Sequence, residues 1–229
     1  MKIAIMQPYF FPYVGYFQLI RAVDLFVIYD DVTYIKQGWI NRNRILLNNQ
    51  AYMFTLNLIG ASSFKLINQI KIGNNKEKLL KTIEQAYVKA PHYKDVMPVL
   101  RDMFLNEETN LSRYLTYSIL KVTQYLGTKT EIIISSEIDK QNELRGSEKV
   151  LHICQILNAD TYINAIGGME LYSKENFRQE GIELLFIRSN PITYKQFHDE
   201  FIPWLSIIDV MMFNSKENID VMLKDMELV

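Results

Sequence analysis

The chain has 229 residues, 48% of them hydrophobic and 22% charged, and a net charge of -1. This size suits one domain with its own core, and the near-neutral charge excludes a protein that binds nucleic acid or anionic lipid by electrostatic attraction. The single cysteine, Cys154, excludes an internal disulfide and favours a reducing compartment. No segment has the pattern of a signal peptide or a membrane span, so we expect a cytoplasmic protein.

The N-terminal segment predicts a strand, an irregular turn, a helix and a second strand. Residues 2–6 and 24–29 are apolar runs of strand length, and residues 14–22 have the pattern of a helix. Pro8 and Pro12 prevent a helix between the first strand and residue 14. Together these elements predict a βαβ unit with a right-handed connection.

The rest of the chain continues as a mixture of strands and helices. The predicted elements are a hairpin of residues 44–48 and 51–57, a strand within 66–72, helices at 76–89, 93–104 and 111–126, a strand at 131–134, a helix at 146–157, a strand at 161–164, a helix at 173–179, a strand at 182–187 and a helical tail at 205–226. We therefore predict one α/β domain over residues 1–229, with a mostly parallel sheet and a helical subdomain inserted at about 74–126.

The most unusual segment is residues 7–18, which contains six aromatic residues and two prolines. Ligands of parallel α/β sheets bind beyond the carboxyl ends of the strands, where this segment is expected to lie. The alternative is a rigid aromatic plug over the core, but a plug does not require so many tyrosine hydroxyls. We predict that this segment binds substrate through Gln7, Tyr9, Tyr13, Gly15 and Tyr16.

Two adjacent carboxylates, Asp30 and Asp31, end the predicted second strand. Carboxylates at this position suit Mg²⁺ binding or acid–base chemistry, although aspartate pairs are also common in turns. The polar loop that follows supplies Trp39, Asn41, Arg42 and Asn43 as predicted substrate contacts. We expect Arg42 to bind a phosphate or carboxylate through two hydrogen bonds, and Arg44 to be structural or exposed.

Two further candidates lie far downstream. A glycine-containing loop after the strand at 161–164 is either a substrate contact or an ordinary tight turn; its candidates are Asn164, Gly167, Gly168 and Tyr172. Asp209 lies in a very apolar helix, where a carboxylate must be exposed or paired, and we predict a catalytic role for it beside Asp30 and Asp31. We expect one pocket to be lined by Tyr13, Tyr16, Asp30, Asp31, Arg42 and Asp209.

Metal and thiol chemistry have no support in the residue spacing. The histidines, at positions 92, 152 and 198, are scattered, and no His-Glu-x-x-His or paired-cysteine motif occurs. Cys154 lies in an apolar helical pattern that predicts burial. We expect no transition-metal site and no essential thiol.

Several segments together resemble a known family. They are Met-Gln-Pro-Tyr-Phe-Phe-Pro-Tyr-Val-Gly-Tyr-Phe from Met6, Tyr-Asp-Asp from Tyr29, Gly-Trp-Ile-Asn-Arg-Asn-Arg from Gly38, Tyr-Ile-Asn from Tyr162, the Gly167-Gly168 pair, Leu171-Tyr172, and Leu-Ser-Ile-Ile-Asp from Leu205. With these segments the chain resembles the WbqC-like proteins over nearly its whole length. The resemblance implies a bacterial enzyme of O-antigen or lipopolysaccharide biosynthesis that joins an acyl or aminoacyl group, glycine in particular, to an amino sugar or sugar nucleotide. The alternative is a non-catalytic sugar- or nucleotide-binding subunit of a biosynthetic complex.

A second resemblance concerns architecture. A first strand followed by Tyr13-Val14-Gly15-Tyr16 is similar to the HxGH nucleotidylyltransferases, with tyrosines in place of both histidines. The resemblance implies a Rossmann-like sheet, and ATP with Mg²⁺ as cofactors if an adenylate forms. Because neutral tyrosines stabilise phosphate charge less well than histidines, the change weakens the case for adenylyl transfer and leaves nucleotide binding open. The expected partner is a small-molecule substrate, and a homodimer also stays open.

Overall fold

A computed structural model describes residues 1–229, and its centre is a six-stranded sheet. The ten strands are β1 (Lys2–Met6), β2 (Leu25–Ile28), β3 (Arg42–Leu47), β4 (Gln50–Thr55), β5 (Leu58–Ile59), β6 (Lys71–Ile72), β7 (Glu131–Ile134), β8 (Thr161–Ala165), β9 (Glu183–Ser189) and β10 (Met226–Leu228). The eight α-helices are α1 (Val14–Arg21), α2 (Lys76–Tyr87), α3 (Tyr93–Leu105), α4 (Leu111–Tyr125), α5 (Gly146–Ile156), α6 (Lys174–Gln179), α7 (Ile207–Phe213) and α8 (Lys216–Lys224).

The strand order across the main sheet is β10-β9-β8-β1-β2-β7. All neighbours are parallel except β10, which runs antiparallel to β9, so the predicted mostly parallel sheet is confirmed. In the centre, Ile3 of β1 is paired with Leu25 of β2 on one side and with Tyr162 of β8 on the other. The chain winds outward from β1 to β2 and β7, and then places β8 and β9 on the opposite side of β1.

Alternate residues of the central strands enter two separate cores. Ala4 and Phe26 belong to a large apolar cluster with α1 to α4, α7 and α8. Ile3, Ile5 and Val27 belong to a smaller cluster with α5 and α6 on the other face. A sheet covered on both faces requires nearly continuous apolar strands, which explains the short apolar runs in the sequence. None of the helices has the length and apolar character needed to cross a membrane.

The differences from the predicted elements concern short or edge elements. Residues 66–72, predicted to contain a strand, form a 3-10 turn at Ile67–Gln69 and the two-residue β6, which is paired with β5. The predicted helical tail ends at Lys224, and Met226–Leu228 instead forms the edge strand β10. In both places a distant strand supplies the pairing partner, which a local sequence pattern does not reveal.

The β3–β4 hairpin lies outside the main sheet. Its turn residues Asn48 and Asn49 have φ values of 50° and 60°, a left-handed conformation that asparagine tolerates better than most residues. The hydroxyl of Tyr87 in α2 accepts a hydrogen bond from the backbone N–H of Leu46 at 2.9 Å. This contact fixes β3 against the helical layer, and β3 in turn contributes residues to the candidate site.

Candidate functional site

The turn between β1 and α1 is held by side chains from distant segments. Phe11 is buried and has a φ of 44°, which is a strained conformation for a bulky residue. Asn43 Nδ2 donates to the carbonyl oxygens of Phe10 and Phe11, at 3.2 and 2.7 Å. Ser206 Oγ donates to the Phe11 carbonyl at 2.7 Å. These contacts compensate the strain and fix the aromatic segment at the end of β1.

A cavity of about 410 Å³ lies beyond the carboxyl ends of β1, β8 and β9, beside the start of α1. It falls within the size range of small-molecule sites. We call it the aromatic pocket; its 16 lining residues are Met6, Tyr9, Pro12, Tyr13, Gly15, Tyr16, Leu19, Trp39, Asn43, Arg44, Ala165, Ile166, Ile187, Arg188, Ser189 and Trp204. The sheet reverses its winding direction between β1 and β8, so the pocket lies where open α/β sheets bind their ligands.

Aromatic rings form much of the wall of the aromatic pocket. The ring centroids of Tyr13 and Trp204 lie 5.2 Å apart, and those of Tyr9 and Tyr16 lie 5.7 Å apart. The Tyr16 hydroxyl donates to the carbonyl oxygen of Gln7 at 3.0 Å, which ties this ring to the end of β1. Burial raises the pKa of Tyr9, Tyr13 and Tyr16, so their hydroxyls stay neutral donors at physiological pH.

Gly15 allows α1 to approach β9 closely at one side of the aromatic pocket. A Cβ at this position would lie 2.9 Å from Ser189 Oγ. That hydroxyl donates to the buried side chain of Gln18, whose Nε2 donates to the carbonyl oxygens of Met222 and Asp225 at 2.8 and 3.0 Å. The glycine therefore preserves a hydrogen-bonded junction between α1, β9 and the C-terminal segment.

Two arginines line the aromatic pocket, and no acidic residue does. Arg44 Nε is buried without a hydrogen-bond partner, and the guanidinium carbon lies 5.5 Å from the centre of the Trp39 ring. Arg188 is exposed at the end of β9. The positive charge of the pocket is thus not neutralised by a lining carboxylate.

Asp30 and Asp31 form a separate polar cluster where β2 and β7 end. Asp30 accepts hydrogen bonds from the hydroxyls of Ser112 and Ser136, at 3.0 and 2.8 Å, and from the Ser136 N–H at 3.0 Å. Asp31 forms ion pairs of 2.9 Å with two buried lysines and accepts a hydrogen bond from Ser135; the lysines are Lys140 and Lys149. We call these residues the carboxylate cluster.

The partners in the carboxylate cluster determine its electrostatics. Burial alone would raise the pKa of Asp31, but hydrogen bonds from Lys149, Ser135 and Lys140 outweigh it, so the pKa lies below its ordinary value. This donor set does not fit Mg²⁺, because the two lysine ammonium groups already occupy the Asp31 oxygen that a cation would need. No group of three or more His, Cys, Asp or Glu side chains in the chain is arranged to hold a metal ion.

Asp209 is fully buried in α7 and has neutral partners. It accepts hydrogen bonds from the hydroxyls of Tyr87 and Tyr194, at 2.7 and 2.6 Å, and from Gln196 Nε2 at 2.9 Å. Burial raises the pKa of Asp209, and the three hydrogen bonds only partly oppose this effect. Gln196 also exchanges hydrogen bonds with the backbone of Ile202, so Asp209 anchors the segment that carries Trp204.

Arg42 and Asn41 make hydrogen bonds within the chain rather than lining the aromatic pocket. Arg42 Nε donates to the carbonyl of Gly38 at 3.0 Å, and its Nη2 donates to the carbonyl of Gln37. Asn41 bridges the hydroxyl of Tyr34 and the carbonyl of Leu56 at 2.8 Å each. The positions of the two arginines differ from the expectation: Arg42, at the start of β3, donates to the preceding carbonyls, whereas Arg44 lines the aromatic pocket.

The loop after β8 places its predicted residues beside the pocket rather than in it. Asn164 is buried, and a Cβ on Gly168 would lie 2.4 Å from its Nδ2, so this glycine makes room for the amide. Gly167 has open space around its Cβ position. The Tyr172 ring packs edge-on against Tyr162, with centroids 5.6 Å apart. Ala165 and Ile166, between these residues, line the aromatic pocket.

The sequence that forms this fold matches a protein-family model. The model of the WbqC-like protein family covers residues 7–221. The chain belongs to the WbqC-like family. It is also 29% identical over 218 residues, 93% of each chain, to the uncharacterized protein Rv1507c of Mycobacterium tuberculosis. No solved structure gives a significant match.

Only some of the segments that carry the family resemblance lie around the aromatic pocket. In this WbqC-like chain the pocket is lined by Tyr9, Tyr13, Gly15, Tyr16, Trp39 and Asn43 from the predicted set. The predicted residues outside it are Gln7, Asp30, Asp31, Asn41, Arg42, Asn164, Gly167, Gly168, Tyr172 and Asp209. The aromatic pocket therefore lacks the three aspartates and Arg42 that were expected in it. The aspartates are paired with side chains from distant segments, and Arg42 is bound to carbonyls of its own loop.

Sequence reasoning missed Arg44, Arg188 and Trp204 as pocket residues of the WbqC-like chain. A signal existed for Arg188, because it lies near the carboxyl end of a predicted parallel strand, where ligands bind. Trp204 had a weaker signal, a large aromatic residue directly after Pro203 and just before the predicted helical tail. Its φ of 60° and its 62% exposure became visible only in the fold.

Proposed function

We propose that the protein is an enzyme of surface-polysaccharide biosynthesis that transfers an acyl or aminoacyl group onto an amino sugar bound in the aromatic pocket. The WbqC-like family is associated with polysaccharide biosynthesis, which supports the pathway class. Aromatic walls suit the apolar face of a sugar ring or a nucleotide base. The observation that carries the proposal is a cavity of about 410 Å³ with aromatic and cationic walls beyond the carboxyl ends of three parallel strands.

The strand order supports a nucleotide-binding architecture. Numbered by their appearance in the chain, the five parallel strands follow the order 3-2-1-4-5, which is typical of doubly wound nucleotide-binding folds. On this proposal α2 to α4 form the helical subdomain inserted between β6 and β7. The tyrosines that replace the HxGH histidines, Tyr13 and Tyr16, both line the pocket and favour binding over phosphate activation.

The chain's contribution to such a reaction would be binding and orientation. The amino nitrogen of the sugar attacks the activated acyl carbon, the leaving group departs with its electron pair, and the ammonium proton passes to water. Holding the two reactants close together in the reactive orientation supplies a large part of the rate enhancement of such bimolecular reactions. We assign the positioning of the rings to Tyr9, Tyr13 and Trp39.

A second candidate function is a non-catalytic sugar- or nucleotide-binding subunit. One observation favours it: the residues that line the aromatic pocket include no Asp, Glu, His, Lys or Cys. The three predicted catalytic aspartates lie outside the pocket, so no lining side chain is an ordinary general base. On this alternative, Asp30, Asp31 and Asp209 support the fold around a binding site.

One experiment separates the two candidates. The pure protein is incubated with glycine, ATP, Mg²⁺ and a nucleotide-linked amino sugar, and products are followed by mass spectrometry and by pyrophosphate release. A new amide on the sugar supports the enzyme. Saturable binding of the sugar nucleotide with no product after long incubation supports the binding subunit. Neither product nor binding would contradict both.

A further inference from the structure

Arg44 is half-buried, and its side chain makes no hydrogen bond or ion pair within the chain, unlike those of Arg42, Lys140 and Lys149. Its backbone is fixed, because its N–H donates to Asn43 Oδ1 and its carbonyl accepts from the Ser206 N–H, both at 2.8 Å. Its Nε is buried and unpartnered. A buried donor without an acceptor is costly, and a ligand oxygen at this position would remove that cost.

Other cationic side chains that are buried or half-buried have hydrogen-bond or ion-pair partners within the chain. Lys140 and Lys149 each lie 2.9 Å from Asp31. Arg42, only two residues from Arg44 in sequence, donates to two loop carbonyls. Arg44 instead has the face of the Trp39 ring beside it, which tolerates a cation without neutralising it. The Arg44 side chain is therefore available to an acceptor from outside the chain.

The residues around Arg44 favour a ligand with a negative charge. Arg188 lines the same cavity, and no lining residue carries a negative charge. The Trp39 ring beside Arg44 lowers the local dielectric constant and so strengthens its positive potential, and the exposed Arg188 adds to the positive charge at the cavity. Such a site attracts an oxyanion and disfavours a cation. The guanidinium fork binds phosphate or carboxylate through two parallel hydrogen bonds.

The remaining lining residues favour a ligand in which a ring is attached to the oxyanion. Tyr13 and Trp204 form one aromatic pair with centroids 5.2 Å apart, and Trp39 lies next to Arg44. The exposed fractions of Trp39 and Trp204 are 41% and 62%, so both offer ring surface to a ligand. Aromatic rings that line a cavity and remain exposed are available to pack against a ring of the ligand.

We infer that Arg44 is the anion-binding residue of the aromatic pocket, assisted by Arg188, and that the ligand is a ring-bearing phosphate ester such as a nucleoside diphosphate sugar. This inference rests on the proposed function and specifies its substrate class. The phosphate oxygens accept from the Arg44 guanidinium, and the attached rings pack against Tyr13, Trp39 and Trp204.

Binding measurements on the full chain test the inference. The probes are UDP-N-acetylglucosamine, N-acetylglucosamine 1-phosphate, neutral N-acetylglucosamine and glucuronic acid, each titrated by calorimetry. The chain has two tryptophans, and both line the pocket, so tryptophan fluorescence gives an independent readout. We expect the phosphate-bearing probes to bind and to change the fluorescence, and neutral N-acetylglucosamine to bind far more weakly.

Arg44→Gln should weaken binding of the phosphate-bearing probes about 30-fold or more, the scale of one lost charge-assisted contact. Arg44→Lys should recover only part of the affinity, because it keeps the charge without the fork. Arg42→Gln is the matched control and should retain affinity within a few-fold. Thermal unfolding of each variant verifies that the fold is intact.

Three outcomes would overturn the inference: no binding of either phosphate-bearing probe, equal affinity of Arg44→Gln and wild type, or an equal loss in Arg42→Gln. Arg44-dependent binding of glucuronic acid alone would overturn the phosphate assignment. Binding requires no turnover, so Arg44-dependent binding without amide formation would count against the proposed reaction only. Amide formation unaffected by Arg44→Gln would count against this inference only.

Discussion

The aromatic pocket and the carboxylate cluster both lie beyond the carboxyl ends of strands of the same parallel sheet. They differ in whether their charged side chains have partners within the chain. In the carboxylate cluster, Asp30 receives three hydrogen bonds and Asp31 pairs with two lysines. In the aromatic pocket, Arg44 Nε has no partner, and no lining residue is acidic.

The difference indicates which polar groups are available to a ligand. A buried charge whose partners all come from the chain contributes mainly to the specificity and cohesion of the fold. A charge that is fixed in position but unpartnered is available to bind something else. Charged residues near a strand end are therefore poor guides to a site until their internal partners are known.

The largest effect is expected from breaking the carboxylate cluster. Asp31→Ala leaves two buried lysines without an anion and should destabilise the protein by about 3–5 kcal/mol. The control is Asp102→Ala, which removes a surface ion pair of 2.8 Å with Lys121 and should cost about 1 kcal/mol or less. Urea unfolding measures both; equal losses in the two variants would contradict the structural role of the cluster.

The glycine pair after β8 gives a matched test of close packing. Gly168→Ala places a Cβ 2.4 Å from Asn164 Nδ2 and should cost about 1–3 kcal/mol by overpacking. Gly167→Ala meets nothing within 4 Å and should change stability by no more than about 0.5 kcal/mol. If both substitutions are tolerated equally, the loop adjusts more freely than its packing indicates.

The pH dependence of stability should separate Asp31 from Asp209. The lowered pKa of Asp31 contributes stability above the ordinary value of 3.8, and this contribution is lost as the pH falls through the folded-state pKa. The raised pKa of Asp209 has the opposite sign: the folded state binds the proton more tightly, so stability falls as the pH rises from 3.8 through the folded-state pKa.

Asp209→Asn tests this pH dependence of the free energy of unfolding. We expect its effect on stability to be smaller than the loss of stability in Asp31→Ala. The substitution keeps the shape and removes the titration, so the stability of wild type relative to the variant should decline with rising pH above 3.8. Unfolding free energies measured from pH 4 to pH 7 give this difference. A flat difference would show that the three neutral donors balance the cost of burial, and a difference that rises with pH would show that they outweigh it.

The smallest effect on stability is expected in the aromatic pocket. Arg44→Gln removes an unpartnered cation, and Trp204→Phe alters a side chain that is 62% exposed. Trp204→Phe should change the free energy of unfolding by no more than about 0.5 kcal/mol, the range of ordinary surface substitutions. Arg44→Gln should leave the free energy of unfolding unchanged or raise it, because a buried donor without an acceptor is costly. A loss above 2 kcal/mol in Arg44→Gln would mean that the fold, rather than a ligand, uses this guanidinium.

Local patterns predicted most of the regular elements, because helices and strands have characteristic periods that survive without tertiary information. The apolar strand at residues 2–6 and the helix from Val14 illustrate this success. The same patterns missed β10, whose pairing partner, β9, lies far away in sequence. They also correctly indicated that the aromatic segment after β1 would border a cavity, because strand ends in parallel sheets follow a general rule.

The sequence by itself determined the α/β class, the βαβ start and the position of the aromatic turn. Only the tertiary structure decided which charges are paired. Lys149 lies 118 positions from Asp31, and Tyr87 lies 122 positions from Asp209. Electrostatic and hydrogen-bond partners depend on distance in space, which a sequence pattern does not contain. For this reason Arg42 and Arg44, two residues apart and chemically identical, could be distinguished only after the chain had folded around them.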